Sequence, residues 1–263
     1  MIPTINLSSS TQDDIAKALH DACTDIGFFY LEGHSISQSL LDDVFIQSKQ
    51  LFALPLDEKE ALIDSILQRG YTKFEEETLD PANQSKGDTK EGYYIGDEIE
   101  TINTSKLEGP NVWPSDTNTT LTHDQCKQFR LIMERYQEEA TRVCRQLLTY
   151  FALAIGSKDT HLFDEFFTQP KTFIRLLHYS SECSNTENGI YACGAHSGKS
   201  ALVFFYHIIM NSSFNMKFQD LTTLFAFIQH YLIAFQPYVL TEVTISFSSS
   251  KIMATRIFQT MAC

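Results

Sequence analysis

The sequence has little positive charge, and what it has is not gathered in one place. Its 20 Lys and Arg residues stand against 33 Asp and Glu residues, which gives a formal net charge of −13. A protein that binds nucleic acid or an anionic membrane through phosphate groups needs a basic stripe to neutralise them. The sequence shows no such stripe, so we expect neither nucleic acid nor a membrane as a partner.

Paired cysteines are also missing. The six cysteines are scattered and form no C-x-x-C pair: Cys23, Cys126, Cys144, Cys183, Cys193 and Cys263. Such pairs are typical of metal-binding and redox motifs. The first residues show no basic region followed by an apolar run, which a secretory leader would have. We therefore expect reduced thiols and a cytoplasmic location.

Long hydrophobic runs are absent as well. The apolar stretch over 201–210 is too short for a membrane span, which needs about 20 apolar residues. A second stretch, 221–240, is interrupted by Gln229, His230, Gln236 and Pro237. What the chain does have is 43% hydrophobic residues in a length of 263, enough to bury one large core or two small ones.

Hydrophobic periodicity predicts helices in the front part of the chain and strands later. Apolar residues recur at helical spacing within 11–26, 40–52, 122–155 and 160–167, whereas short β-rich runs occupy 2–7, 28–31, 92–96, 172–179 and 189–196. The irregular stretch from Arg69 to Pro114 is long for a compact domain, and such loops usually line a site. The pattern predicts an α+β fold, with a helical front half packed on a sheet.

The composition changes abruptly after Ser197. Nine of the 20 Phe residues lie from Gly198 onward, and that segment has four Lys and Arg residues against two acidic ones. A shift of this kind marks a boundary. We expect that 198–263 does not rebuild the sheet, and the stretch 221–233 is compatible with ad hoc helices.

Six motifs in order resemble one enzyme family. They are Ile2-Pro-Thr-Ile-Asn-Leu7, Ile26-Gly-Phe-Phe-Tyr-Leu-Glu-Gly-His34, Phe52-Ala-Leu-Pro55, Glu91-Gly-Tyr-Tyr-Ile-Gly96, Gly109-Pro-Asn-Val-Trp-Pro114 and Arg175-Leu-Leu-His-Tyr179. Together they resemble the 2-oxoglutarate/Fe(II)-dependent dioxygenases related to isopenicillin N synthase. The resemblance implies a helical N-terminal region over 1–115 and a double-stranded β-helix, or jelly roll, which begins within 116–197 and is incomplete.

The resemblance also implies a site. Such enzymes hold Fe(2+) with two His and one carboxylate, and they leave positions open for 2-oxoglutarate and dioxygen. The first two ligands form a His-x-Asp motif, because residues i and i+2 of a strand point to the same face. His196 matches the first metal ligand, but Gly198 stands where the Asp is expected. Tyr179 matches a tyrosine that hydrogen-bonds 2-oxoglutarate.

The other expected residues are not found after Gly198. His207 and His230 follow, but neither precedes the Arg-x-Ser that salt-bridges 2-oxoglutarate in the family, and Arg256 is not followed by that Ser. The resemblance therefore implies oxidation of a small metabolite coupled to 2-oxoglutarate decarboxylation, with this chain inactive or impaired. The alternative is a truncated, non-catalytic isoform that acts as a binding or structural protein.

The segment Gly198-Lys199-Ser200 has three other possible interpretations. A halogenase uses Gly or Ala in place of the Asp, but it keeps the second His and the Arg-x-Ser. A P-loop needs its first Gly at position 193, which is Cys. The third is a translated splice donor. An Asp codon begins with G, and an intron with the common donor sequence GTAAGT would follow that G. Reading straight through gives GGT-AAG-T, which encodes Gly, Lys and then a residue such as Ser. On this hypothesis 198–263 is translated intron.

Overall fold

The computed structural model describes residues 2–25, 27–168, 170–180 and 184–194, together with the backbone of three later strands, 202–209, 223–226 and 238–246. It contains four α-helices, which are α1 (Gln12–Asp25), α2 (Gln38–Phe52), α3 (Leu56–Glu60) and α4 (His123–Ala154). Its nine strands are β1 (Thr4–Asn6), β2 (Phe28–Glu32), β3 (Ile63–Asp64), β4 (Arg69–Thr72), β5 (Lys90–Gly96), β6 (Lys171–Tyr179), β7 (Leu202–Ile209), β8 (Thr223–Ala226) and β9 (Tyr238–Ser246).

Helix boundaries follow local capping chemistry. The Thr11 hydroxyl accepts a hydrogen bond from the Asp14 amide at the start of α1, and Gly27, with φ +77°, ends that helix. Thr122 and Gln125 form a capping box at the start of α4, in which each side chain binds the other residue's backbone amide. These side chains satisfy amide groups that have no partner within the helix.

One mixed sheet organises the strands, in the order β1-β2-β8-β7-β9-β6-β5-β4-β3. The long pairs β5–β6, β6–β9 and β7–β9 are antiparallel, and β6 and β9 pair over eight residues from Lys171 to His178. Helices α1 and α2 pack on α4, and α4 contacts β6. The sheet is therefore covered on one face by helices.

The main core lies between α4 and β5–β6. Its largest fully buried side chains include Tyr93 from β5 and Phe129 and Tyr136 from α4. The Tyr93 and Phe129 rings meet edge to face, with their centroids 5.8 Å apart, which is a favoured aromatic geometry. Alternate residues of β6, Ile174 and Leu176, complete this core, so their neighbours along the strand point to the other face.

The predicted helices over 11–26, 40–52 and 122–155 are confirmed, as are the strands over 2–7, 28–31, 92–96 and 172–179. Two predictions were wrong. Residues 189–194 form a loop that begins at Gly189, with φ +69°, instead of a strand, and within 160–167 only Asp164–Phe167 is helical, as a 3-10 turn. Short apolar runs do not distinguish a strand from a packed loop.

The expectation that the segment after Gly198 does not rebuild the sheet was also wrong. Three of its stretches are strands of the sheet, and Thr223–Ala226, within the stretch compatible with helices, is β8, which pairs with β2 and β7. Aromatic and β-branched residues favour strands, and β6 offers an edge of main-chain groups to pair. The predicted jelly roll is thus extended beyond Ser197. Among the described residues, no helix is both long enough and apolar enough to cross a membrane.

Candidate functional site

The face of β5 and β6 that points away from the helices is the candidate site, and we call it the far face. In the β5–β6 register, Lys90 lies opposite Tyr179, Gly92 opposite Leu177 and Tyr94 opposite Arg175. Because these are alternate residues, all of their side chains lie on the same face, opposite Tyr93, Ile174 and Leu176. Two antiparallel strands therefore bring a tyrosine, two cations and a second tyrosine into one row.

Tyr179, the residue expected to bind 2-oxoglutarate, lies at the end of β6. It is buried and packs in a small apolar cluster with Leu177 and Ala192, separate from the main core. The structure therefore places Tyr179 on the far face, in a setting that excludes most water. Its role in binding 2-oxoglutarate stays a prediction.

The loop over 184–194, which leads to His196, is fastened beside Tyr179. The Thr89 amide donates to the Tyr191 carbonyl at 3.0 Å, and the Gly194 amide donates to Asp88 Oδ1 at 2.9 Å. A Cβ atom at Gly194 would lie 2.8 Å from the Asp80 backbone nitrogen, so any other residue here would require the backbone to shift. His196, the expected metal ligand, and Gly198 themselves lie outside the described residues.

An ion-pair network fills the middle of the far face. Arg175 donates to both carboxylate oxygens of Glu77, at 3.0 and 3.1 Å, and the Tyr94 hydroxyl hydrogen-bonds the same carboxylate. Lys90 pairs with Glu77 at 2.9 Å and also with the fully buried Asp88. The Lys90 side chain is only 3% exposed, so its charge depends on these two carboxylates.

The network fixes the ionisation of its members. Burial by itself would raise the pKa of Glu77, but the positive charges of Arg175 and Lys90 outweigh it and lower that pKa to about 2. Burial would lower the pKa of Lys90, yet Cys193, Glu77 and Asp88 around it raise that pKa above its ordinary value. Both groups are therefore charged at neutral pH.

A second polar cluster lies on the helix side of the same two strands. The Glu91 carboxylate, 2% exposed, accepts hydrogen bonds from Lys59 at 2.7 Å, from the Tyr71 hydroxyl at 2.6 Å and from His178 at 2.7 Å. His178 also packs on Phe52, with ring centroids 5.5 Å apart. This cluster joins α3, β4, β5 and β6, and it fixes the strand end that holds Tyr179.

An open groove of about 500 Å³ lies elsewhere, between α4 and the start of β6. The Thr172 hydroxyl accepts from Gln137 at 2.6 Å and hydrogen-bonds Asp97 at its floor. The groove is on the helix side of the sheet, away from Tyr179, and at its floor Gln137, Asp97 and Thr172 hydrogen-bond one another. It does not form part of the far face.

Sequence reasoning identified Tyr179 but gave no role to Lys90, Glu91, Arg175 or His178. The signal was present, because charged residues at alternate positions of a strand mark a polar row on one face. Glu77 could not have been found in this way. It belongs to the irregular stretch 73–89, and only the fold brings it to Arg175, 98 residues later.

Fe(2+) in this family requires two His and one carboxylate as donors. The described part of the chain holds no group of three His, Cys, Asp or Glu side chains that could bind a metal ion. At the expected motif, Gly198 has no side-chain donor for the carboxylate position. These residues do not fit a complete two-His, one-carboxylate site.

Comparisons with known proteins agree with this fold. Residues 2–116 match the family model described as the N-terminal region of a non-haem dioxygenase in morphine synthesis. Azadirone synthase LFS of Melia azedarach is 30% identical over 202 residues, which cover 73% of this chain and 57% of that protein. The 2-oxoglutarate-dependent dioxygenase caaD of Aspergillus niger is 29% identical over 205 residues, 74% of this chain and 60% of that protein.

A solved structure shows the same architecture. A 2OG-Fe(II) oxygenase family protein from Caulobacter crescentus superposes with a TM-score of 0.71 at 16% identity, covering 95% of this chain and 88% of that one. The fold is that of the jelly-roll oxygenases. The chain belongs to the 2-oxoglutarate/Fe(II)-dependent dioxygenase family. It spans less than two thirds of the length of the two sequence relatives.

Proposed function

We propose that this chain has the scaffold of an enzyme that oxidises a small metabolite while 2-oxoglutarate is decarboxylated, and that turnover by this chain itself is impaired. The observation that supports the impairment is His196-Ser197-Gly198, in which Gly198 replaces the carboxylate ligand. An imidazole without its carboxylate partner binds Fe(2+) weakly and leaves its geometry undefined.

The far face supports the substrate-binding part of this proposal. Tyr179 lies there in an apolar cluster, next to Lys90 and to the loop that leads to His196. A hydroxyl that is held in a partly dry site can donate to a carboxylate of 2-oxoglutarate more effectively than one in water. We assign Tyr179 to the cosubstrate and His196 to the metal.

Purified chain supplied with Fe(2+) and 2-oxoglutarate tests the proposal. We expect no succinate above a metal-free control. We expect Gly198→Asp to raise Fe(2+) affinity at least about tenfold, because it restores the His-x-Asp pair on one strand face. Ser197→Asp is the matched control: successive side chains of a strand point to opposite faces, so on this proposal we expect it to give no gain.

Two outcomes would contradict the proposal. Succinate release by the unmodified chain that His196→Ala abolishes would show a working metal site without an Asp ligand. Equal gains in Fe(2+) affinity from Gly198→Asp and Ser197→Asp would show that position 198 is not the ligand position. Affinity for Fe(2+) is measured by competition with a chromogenic chelator under anaerobic conditions.

A second candidate function is ligand binding without turnover. It is favoured by the contrast between the far face and the metal motif: Arg175, Lys90, Tyr94 and Tyr179 form an ordered row, whereas position 198 has lost its ligand. A non-catalytic chain of this kind would bind a small acid and release it unchanged. Binding of 2-oxoglutarate without succinate formation distinguishes this candidate from the first.

A further inference from the structure

The strongest unassigned feature of the far face is its cation pair. Arg175 and Lys90 belong to neighbouring strands, and their side chains are 19% and 3% exposed, respectively. Both cations bind the same Glu77 carboxylate, and cations that lose hydration beside each other persist only where negative charge is supplied. Here most of that charge comes from Glu77 and Asp88.

The two carboxylates differ in how they are held. Asp88 lies two residues before β5 and is fully buried, with Oδ1 accepting from Gln84 and from the Gly194 amide. Glu77 comes from the same connection between β4 and β5, where its backbone carbonyl accepts from the Asp88 amide at 2.7 Å, and its side chain is 26% exposed. The Asp88 carboxylate is thus held by buried donors, whereas the Glu77 carboxylate is the more exposed of the two.

The donors around Glu77 have the geometry of a carboxylate-binding site. Arg175 reaches both of its oxygens, Lys90 reaches Oε2, and Tyr94 supplies a hydroxyl. A guanidinium with a lysine and a phenol is the donor set that recognises carboxylates. The charges of Arg175 and Lys90 lower the pKa of Glu77 to about 2 against the effect of burial, which shows how strongly this position favours an anion.

The surroundings indicate the rest of the ligand. The same face holds an apolar cluster formed by Leu177, Tyr179 and Ala192. Leu177 is two residues after Arg175 on β6, and Tyr179 lies opposite Lys90 of β5. A molecule with a carboxylate at the Arg175 end and an apolar body toward Tyr179 would match both surfaces. Such pockets typically combine apolar walls with a few polar groups that fix orientation.

We propose that Arg175, Lys90 and Tyr94 form a binding site for an acidic small molecule with an apolar body, and that the Glu77 side chain occupies this site until the ligand exchanges with it. The inference rests on the proposed function, because it takes the far face as the substrate-binding face. The substrates that this site would bind are carboxylic acids. Glu77 acts as an internal competitor that keeps the cations neutralised when no ligand is bound.

Calorimetric titration of the metal-free chain with 3-phenylpropionate, and with its neutral amide, tests the inference. We expect Glu77→Gln to bind the carboxylate at least about tenfold more tightly than the unmodified chain, equivalent to about 1.4 kcal/mol, and the amide to show no gain. Glu75→Gln is the matched control. It removes a carboxylate from the same loop, where Glu75 pairs with Lys86 near the surface, and it should leave affinity unchanged.

Two more variants test the inference in case Glu77→Gln destabilises the loop that holds residue 77. Glu77→Asp keeps the charge but shortens the side chain, and we expect an intermediate gain. The double variant Glu77→Gln with Arg175→Gln should lose the gain. Equal affinities of the unmodified chain and Glu77→Gln would overturn the inference, as would an equal gain for the amide.

Glu242 provides a further check, because it is the register partner of Arg175 in the β6–β9 pair. A gain in Glu242→Gln that is absent from Glu77→Gln would overturn the assignment of Glu77 as the competitor. Because binding is measured without metal or turnover, a failure here is distinct from a failure of the proposed catalytic assignment.

Discussion

At the scale of single residues, buried charge explains why β5 and β6 have the side chains they do. Each strand has polar groups on both faces: Lys90 and Arg175 on the far face, and Glu91 and His178 on the helix side. Charges this deep are stable only when each has a partner and its hydrogen bonds are satisfied. The partners come from distant parts of the chain, so the two networks also fasten loops and helix α3 to the sheet.

The Glu91 cluster gives a prediction at this scale. Glu91→Gln removes the charge that neutralises Lys59, whose side chain is only 10% exposed. Breaking a buried pair by removing one partner costs about 3–5 kcal/mol, since the other charge stays buried. We expect the free energy of unfolding from urea titration to fall by about that amount.

Glu75→Gln serves as the control for this prediction as well. Its carboxylate is half-exposed, and such surface pairs contribute about 0–1 kcal/mol. If Glu91→Gln and Glu75→Gln unfolded at the same urea concentration, the Lys59–Glu91 pair would contribute no more to the free energy of unfolding than a surface pair.

At the scale of elements, α4 is the scaffold of the molecule. Its 32 residues extend for about 48 Å, and one face supplies buried side chains along most of that length, including Phe129, Tyr136, Val143 and Leu147. Apolar spacing in the sequence predicted this helix closely. The reason is that the period, the start and the packing face of a long amphipathic helix with a capping box are all determined by residues close together in the sequence.

The capping box of α4 gives the prediction at this scale. The Thr122 hydroxyl accepts from the Gln125 amide, so Thr122→Ala leaves helix-terminal amides without a side-chain partner. We expect a loss of about 1 kcal/mol in the free energy of unfolding. Lys127→Ala, at an exposed position within the same helix, should change it by less than about 0.5 kcal/mol. A larger effect from Lys127→Ala would contradict this account.

At the scale of the whole molecule, the strands after Gly198 decide whether the sheet is continuous, because they connect β2 to β6. Strand β9 pairs with β6 over eight residues, and β8 joins β2 to β7. Without them β6 would expose an edge of unpaired main-chain groups between Lys171 and His178. Exposed edges of this length invite pairing with other chains.

A chain cut after Ser197 tests the structural role of the later strands. We expect it to aggregate in a concentration-dependent way in light scattering, because the edges of β2 and β6 lose their partners. The full chain at the same concentration is the control. A shortened chain that stays monomeric, with an unchanged near-ultraviolet circular dichroism spectrum, would show that residues 198–263 do not contribute to the sheet.

The family and most of the front half could be predicted from the sequence. Helices α1, α2 and α4 and strands β5 and β6 were predicted from periodicity, since that signal is local. The loop over 189–194 and the strands after Gly198 were missed, because partners elsewhere in the fold decide their conformation. Composition changes at Ser197, but a change in composition does not determine whether the following residues can pair with a sheet.

What the sequence determined by itself is the chemistry at single positions: Tyr179 at the end of a strand, His196 two residues before Gly198, and an acidic chain without a basic stripe. What only the tertiary structure decided is which charges meet. Arg175 and Glu77 are 98 residues apart and come within 3.0 Å. Ion pairs depend on distance in space, and the fold of the connection between β4 and β5 brings Glu77 to Arg175 on β6.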